Sequence, residues 1–245
     1  MLYSQAVFRT AGDRSIVMEF ANAIDPYVLS KIRSMAAAVE DQPDLFIEEI
    51  LPTYCSLQFF FCPLLTTPDV LRNKLREIEK SLPPSSSVRH RRVEIPILYG
   101  GDAGADLPFV AKHNGLSQKE VIDIHSHGDY LVYMLGFTPG FAYMGGMDKR
   151  ISTPRLMQPR IKIPAGSCGI AGDQTGIYPI DSPGGWQLIG KTPLKLFDPF
   201  SDHPVLLQAG DKICFVPIDE DEFHHIIHLT EAGIYIPSIS EEQTP

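Results

Sequence analysis

The sequence predicts an α+β protein with a strand-and-helix domain at its N-terminal end and a β-barrel domain behind it. Three observations carry that prediction. Residues 1–85 alternate between strand-like and helix-like apolar periodicity. The stretch Ser81–Ser87, Ser-Leu-Pro-Pro-Ser-Ser-Ser, then breaks the pattern, and its prolines and serines favour an extended, solvated linker. From Tyr130 onward the chain reads as short apolar strands between tight turns, which favours a closed or partly closed barrel over a parallel sheet.

In chain order, Val7–Arg9 and Ser15–Phe20 form a strand pair joined by the turn Ala11-Gly12-Asp13. Asp25 supplies an N-cap and Pro26 a first helical residue for a helix reaching Val39. Leu45–Leu51 and Tyr54–Cys62, rich in β-branched and aromatic residues, are the next strands. Thr67 and Pro68 open a second helix that places Val70, Leu71, Leu75, Ile78 and Leu82 on one face. Arg91–Leu98 returns as a strand. A hairpin-extended β-α-β-β-α-β order implies a split βαβ, ferredoxin-like sheet with both helices on one face. Two short helices follow. Asp106–His113 ends at the C-cap signal Asn114-Gly115, and Ser117 to His125 opens with a Ser117/Glu120 capping box. The predicted domains are residues 1–85 and 88–235, followed by a polar, disordered tail at 236–245.

Composition narrows the function. With 245 residues, 44% of them hydrophobic and 21% charged, the chain has the make-up of a globular protein with a real core. A net charge of −9 argues against nucleic acid or an anionic membrane as the main partner, since both need a basic surface. The longest apolar runs, such as Ile213–Ile218, are strand-sized and too short to span a bilayer. Met1–Arg9 lacks a charged start followed by an apolar core, so no signal peptide is expected and the predicted location is cytoplasmic. Cys55, Cys62, Cys168 and Cys214 show no C-x-x-C pairing and are expected to be buried free thiols of a reducing compartment.

The candidate chemistry gathers in Tyr130–Pro199. This stretch holds eleven of the nineteen glycines and eight of the twenty-one prolines, with seven Lys/Arg against four Asp and neither Glu nor His. Such a composition points to a site built largely from turns of backbone, with a local positive charge. A phosphate-cradling P-loop is absent, because Gly184-Gly185 leads into Trp186 rather than Lys-Ser. Arg155, Arg160, Lys162 and Lys191 read either as an anion cradle or as solvated rim charges. Arg160 and Lys162 would share one face of a strand. Gln174, Thr175 and Tyr178 occupy a turn bracketed by Gly172 and Gly176, where backbone can approach a ligand, although a plain tight turn fits equally. Trp186 is either the flat wall of a groove or a packing residue. His125 is a candidate proton-transfer group, the competing reading being a cation at the helix C-terminus. A strand would put His224 and His228 on one face, but no carboxylate or Cys stands at ligand spacing, so no metal site is expected. Ser167 and Cys168 have no visible base to activate them, and packing is the preferred role for Cys168.

Four blocks of this stretch carry a resemblance: Tyr133–Tyr143 (Tyr-Met-Leu-Gly-Phe-Thr-Pro-Gly-Phe-Ala-Tyr), Ile163–Ser167, Gln174–Pro179 and Ser182–Gly190. In this order they resemble the allophanate hydrolase subunit 1 family, whose members are also called 5-oxoprolinase B subunits or KipI-like sporulation kinase inhibitors. The similarity runs from about Arg9 to Ile218. It implies an N-terminal ferredoxin-like domain and a C-terminal cyclophilin-like β-barrel of the carboxyltransferase subdomain C/D type. It also implies partners, namely the A and C subunits of 5-oxoprolinase, the latter KipA-like. Together the three would open 5-oxoproline to glutamate using ATP bound elsewhere in the complex. In that setting Arg155, Arg160 and Lys162 would hold a carboxylate, Gln174 and Tyr178 would hydrogen-bond the lactam, and Asp173 or His125 would move a proton. The kinase-inhibitor branch implies instead that the barrel docks a proline-bearing segment of a sensor histidine kinase against Phe137, Phe141, Tyr143 and Trp186. A urea- or allophanate-linked carboxyltransferase part is the third implication, and it would need a biotin-bearing partner because no Met-Lys-Met motif occurs in this chain.

Overall fold

The structure, a computed structural model, describes residues 2–23, 25–40, 42–82, 89–136 and 138–243. Contacts divide the chain into two compact units, Met1–Val88 with Gln243–Pro245, and Arg89–Glu242. The expected linker falls largely on residues 83–88, outside the described residues.

The first unit runs β1 (Leu2–Thr10), β2 (Ser15–Ala21), α1 (Pro26–Glu40), β3 (Ile47–Pro52), β4 (Ser56–Phe61) and α2 (Pro68–Ser81). Its antiparallel sheet has the order β1-β2-β4-β3. Period-two alternation sends Ile16, Met18 and Phe20 of β2 and Leu57, Phe59 and Phe61 of β4 to one face. Val28, Ile32, Met35 and Val39 of α1 cover that face together with Leu71, Leu75 and Ile78 of α2. Each fully buried aliphatic side chain contributes about 1.5–3 kcal/mol. Helix starts follow the sequence signals: Asp25 Oδ1 accepts from Tyr27 N at 2.8 Å, and Thr67 Oγ1 accepts from Val70 N.

One topological expectation is corrected. The strand predicted at Arg91–Leu98 does not close this sheet, so the β-α-β-β-α-β order fails. The edge beside β2 is held by β1, where Val7–Thr10 pairs with Ile16–Glu19. The hairpin turn at Gly12, with φ of 79°, satisfies that edge locally and at a far smaller closure cost than a distant strand.

The second unit contains β5 (Arg89–Tyr99), α3 (Leu107–Asn114), α4 (Gln118–Ser126), β6 (Tyr130–Leu135), β7 (Ala142–Gly145), β8 (Arg160–Ile163), β9 (Ser167–Ala171), β10 (Gln174–Ile177), β11 (Ser182–Gly184), β12 (Gln187–Lys191), β13 (Lys212–Ile218), α5 (Glu220–Glu231) and β14 (Ile239–Gln243). The main sheet has the order β10-β9-β12-β5-β13-β6-β7, and β14 adds to β5. Its end strands β7 and β10 come together without pairing, so the sheet curls into a nearly closed barrel. Strands β8 and β11 form a separate two-stranded ribbon. Val93, Ile95 and Ile97 alternate inward from β5 to meet Ile170, Ile189, Val132, Ile213 and Phe215 in the core. Both short helices form as predicted, with Gly115 at φ 67° capping α3 and a two-way Ser117/Glu120 capping box on α4.

Two further expectations are corrected here. The region after β13 is a helix, not another strand: Asp219 caps α5 by accepting from Glu222 N at 2.8 Å, with Glu220, Asp221 and Glu222 in the first turn. The polar tail is ordered where it pairs with β5, because Glu94 N and Ser238 O bond at 3.0 Å ahead of β14. All four cysteines are free, but only Cys168 is fully buried.

Candidate functional site

A cavity of about 460 Å³ lies against the β8–β11 ribbon and the loop between β6 and β7. Its walls are Phe141, Tyr143, Tyr178 and Trp186, with Gly136, Thr138, Ser182 and Gly184 between them. The β6–β7 turn closes through Gly136 N to Phe141 O at 2.8 Å, with Gly140 at φ 79°. That closure projects Phe141 into the centre of the aromatic set. Its ring centroid lies 5.1 Å from Tyr143, 5.7 Å from Tyr178 and 5.7 Å from Trp186, the last two edge-to-face. Such pairs add about 0.5–1.5 kcal/mol beyond burial and hold the rings at fixed angles. Gly176 suits this packing: a Cβ there would sit 3.1 Å from the Trp186 ring and 3.4 Å from Phe141, tight enough that the rings must give by a few tenths of an ångström. The glycine admits an indole edge, where the sequence suggests a ligand.

Arg155 is the one charged residue on this wall among the described residues, and its guanidinium lies 6.0 Å from the Trp186 ring centroid. Burial raises the Tyr178 hydroxyl above its ordinary pKa, against opposing effects from the Trp186 backbone and the Arg155 and Arg160 charges. Tyr178 is therefore a protonated donor at neutral pH.

The rest of the predicted cradle is occupied otherwise. Arg160 Nη2 donates to both carboxylate oxygens of Asp106, at 2.8 and 2.9 Å, and Nη1 donates to Trp186 O at 3.3 Å. Lys162, exposed, lies 2.6 Å from Asp181. Neither lines the cavity. Arg160 braces the loops through Asp106, and Lys162 sits outside the cavity in an exposed pair, so the placing of both on the cavity's anion-binding wall is corrected.

The two predicted proton-transfer residues are also displaced. His125 is fully buried: Nδ1 lies 2.7 Å from Tyr99 Oη, Nε2 lies 2.8 Å from Thr175 Oγ1, and the ring stacks on Phe215 at 4.5 Å. Thr175 Oγ1 donates onward to Gly169 O at 3.1 Å, which assigns the proton to His125 Nε2 and makes Nδ1 the acceptor from Tyr99. Burial lowers the His125 pKa to about 3, so it is neither an acid–base group near pH 7 nor a cation at a helix end. Asp173 is exposed on the β9–β10 turn, and neither it nor the half-buried Gln174 lines the cavity. Phe137, the remaining predicted wall residue, lies outside the described residues.

Cys168 has its thiol pushed up to about 12 by burial, in keeping with packing. His224 and His228 lie four apart on helix α5, where the sequence suggests a strand. Among the described residues no group of three His, Cys, Asp or Glu is placed to hold a metal ion. Three residues of the cavity wall and its brace escape the sequence reading. Thr138 and Ser182 are legible only as members of their turn blocks, and Asp106 only as the start of a helix.

Residues 6–207 match the family described as carboxyltransferase domain, subdomain C and D. The chain is 46% identical to the 5-oxoprolinase B subunit of Bacillus subtilis, over 87% of this chain and 93% of that protein. It is 42% identical to the 5-oxoprolinase B subunit of Escherichia coli, over 85% of this chain and 94% of that protein. The crystal structure of the Kluyveromyces lactis urea amidolyase shares the fold, with a TM-score of 0.79 at 22% identity, over 98% of this chain and 16% of that one.

Proposed function

Since this chain belongs to the carboxyltransferase-domain, subdomain C and D family, and within it to the 5-oxoprolinase B subunits, we propose that it serves an ATP-dependent 5-oxoprolinase that opens 5-oxoproline to glutamate. The observation that carries the reading is the aromatic cavity with Arg155 on its wall. A small lactam ring would rest in the cavity against the aromatic wall, and its carboxylate would pair with the Arg155 guanidinium. The Tyr178 hydroxyl then donates to the lactam carbonyl.

Those groups bind and polarise; they do not attack. No acid–base residue lines the cavity among the described residues, since His125 and Asp173 both lie elsewhere. Water activation and phosphoryl chemistry therefore fall to the other members of the complex. ATP does not fit this cavity, because one cation without a glycine-rich phosphate loop is too little for a triphosphate. The A and C subunits of 5-oxoprolinase are the proposed partners. Met157, 98% exposed, and Ile161, 94% exposed, flank Arg155 and Arg160 in sequence and offer apolar surface for the C subunit to cover. The location proposed for the complex is the cytoplasm; no helix of the described residues is long and apolar enough to cross a membrane.

The test is reconstitution: the three purified proteins are mixed with 5-oxoproline and ATP, and glutamate is measured. Turnover must require this chain; full activity in its absence overturns the reading. The same four rings favour a second reading, docking of a proline-bearing segment of a sensor histidine kinase. A pull-down with an autophosphorylation assay decides it, and absence of binding removes it.

A further inference from the structure

We propose that Gln187, which does not line the aromatic cavity, is a positioning residue for the cation that does: its buried amide holds the exposed segment carrying Arg155 in place beside Trp186. The inference rests on the reading of Arg155 as the group that receives the substrate carboxylate.

Residues 153–156 lie outside every helix and strand of the barrel unit, and Pro154 and Arg155 are both exposed. No strand ladder holds such a segment, yet it is tied on both sides of Arg155. Thr153 exchanges two backbone hydrogen bonds with Gly172, at 2.7 and 3.3 Å. Pro154 O accepts from Gln187 Nε2 at 2.9 Å, and Leu156 N donates to Gly185 O at 2.7 Å. Of these four bonds, only the one from Gln187 comes from a side chain. Gly185 and Gln187 flank Trp186, as Pro154 and Leu156 flank Arg155. The last two bonds therefore clasp one segment to the other around the guanidinium and the indole, which lie 6.0 Å apart.

The amide is a poor choice for stability alone. Gln187 is 2% exposed, and its Oε1 is buried without a hydrogen-bond partner. An apolar side chain of the same length would fill the space and strand no acceptor. What the amide adds is the donor to Pro154 O. Exchanging its nitrogen and oxygen would set oxygen against oxygen, so its orientation is fixed. A cation whose backbone is held before the ligand arrives loses less freedom on binding, which lowers KM without touching the chemical step.

The test is Gln187→Met, which keeps the length and removes the donor, with Gln187→Leu as a second apolar replacement. In the reconstituted complex, KM for 5-oxoproline should rise about three- to tenfold, the equivalent of about 0.6–1.4 kcal/mol, with kcat changed less than about twofold. In an Arg155→Ala background the same substitution should add less than about twofold, because the cation it positions is gone. In the full chain alone, hydrogen exchange of the Leu156 amide should quicken about three- to tenfold at an unchanged urea midpoint. An equal rise in KM in both backgrounds, a fall in kcat without a rise in KM, or unchanged exchange at Leu156 each overturns the proposal. Unchanged KM in the Gln187 variants, with KM raised by Arg155→Ala, overturns this inference and leaves the carboxylate reading standing. Unchanged KM in Arg155→Ala overturns that reading, and this inference with it.

Discussion

Arg160 reaches both carboxylate oxygens of Asp106 through one guanidinium nitrogen, and Asp106 Oδ2 accepts in addition from Leu188 N at 2.7 Å. The pair ties the start of α3 to the β8 strand and to the backbone on either side of Gln187. Through Arg160 Nη1 and Trp186 O it also fixes the loop that carries the indole. Its side chains are only 31% and 14% exposed, so it is screened far less than a surface pair.

Replacing Asp106 with Ala should therefore cost about 2–4 kcal/mol, because it strands the Arg160 charge and the Leu188 N–H together. Urea unfolding followed by the emission of Trp186, the single tryptophan, measures both the stability and the loop. A loss below about 0.5 kcal/mol, the ordinary scatter of surface substitutions, would sink the bracing role.

Arg155→Ala should raise the KM of the reconstituted complex for 5-oxoproline at least about tenfold, the loss expected when a charged hydrogen bond to a carboxylate is removed. Its thermal stability should stay within about 0.5 kcal/mol of the parent, since the residue is exposed. Lys162→Ala is the matched control. It breaks only an exposed pair with Asp181 and should change neither KM nor stability appreciably. An effect of Lys162→Ala as large as that of Arg155→Ala would restore the broader cradle.

Gly176→Ala should overpack the aromatic set. The new methyl meets the Trp186 ring at 3.1 Å, and relief requires the indole to shift. A cost of about 1–3 kcal/mol is expected, with a change in Trp186 emission and weaker substrate binding. Unchanged fluorescence would show that the ring has room to spare.

His125 makes stability depend on pH in a defined direction. Its folded pKa of about 3 lies below the ordinary value of 6.5. Above that ordinary value both states are neutral and the residue adds no slope. Between the two values the unfolded chain binds a proton that the folded chain does not, so stability falls as pH falls, approaching about 1.4 kcal/mol per pH unit. His125→Gln should remove this slope. The urea midpoints of the two proteins, compared between pH 7 and pH 5, test it, and parallel curves would refute a neutral buried imidazole.

How far the sequence is legible varies with the range of the interaction. The starts of α2 and α4 are readable because Thr67 and Ser117 bond to backbone only three residues away. The same local rule holds for α5, where Asp219 and three acidic residues announce a helix, but the apolar strand before it masks the signal. The aromatic wall is visible as rings beside turns, since Gly136 to Phe141 and Ser182 to Trp186 are short blocks. Which cations face it is not visible. Arg155, Arg160 and Lys162 look alike in sequence, and only Asp106 and Asp181, many residues away, distinguish them.

Local order suffices to read an α+β chain, most of its helix starts and stops, and the family that its Gly/Pro blocks match. Those features depend on periodicity, caps and turns, which act over a few residues. Tertiary structure alone decided that β5 joins the barrel sheet beside β13, that His125 is a neutral core residue, and that Arg155 is the cation left to the cavity. Each of those outcomes rests on a partner distant along the chain or on exclusion of water, and neither is written in local order.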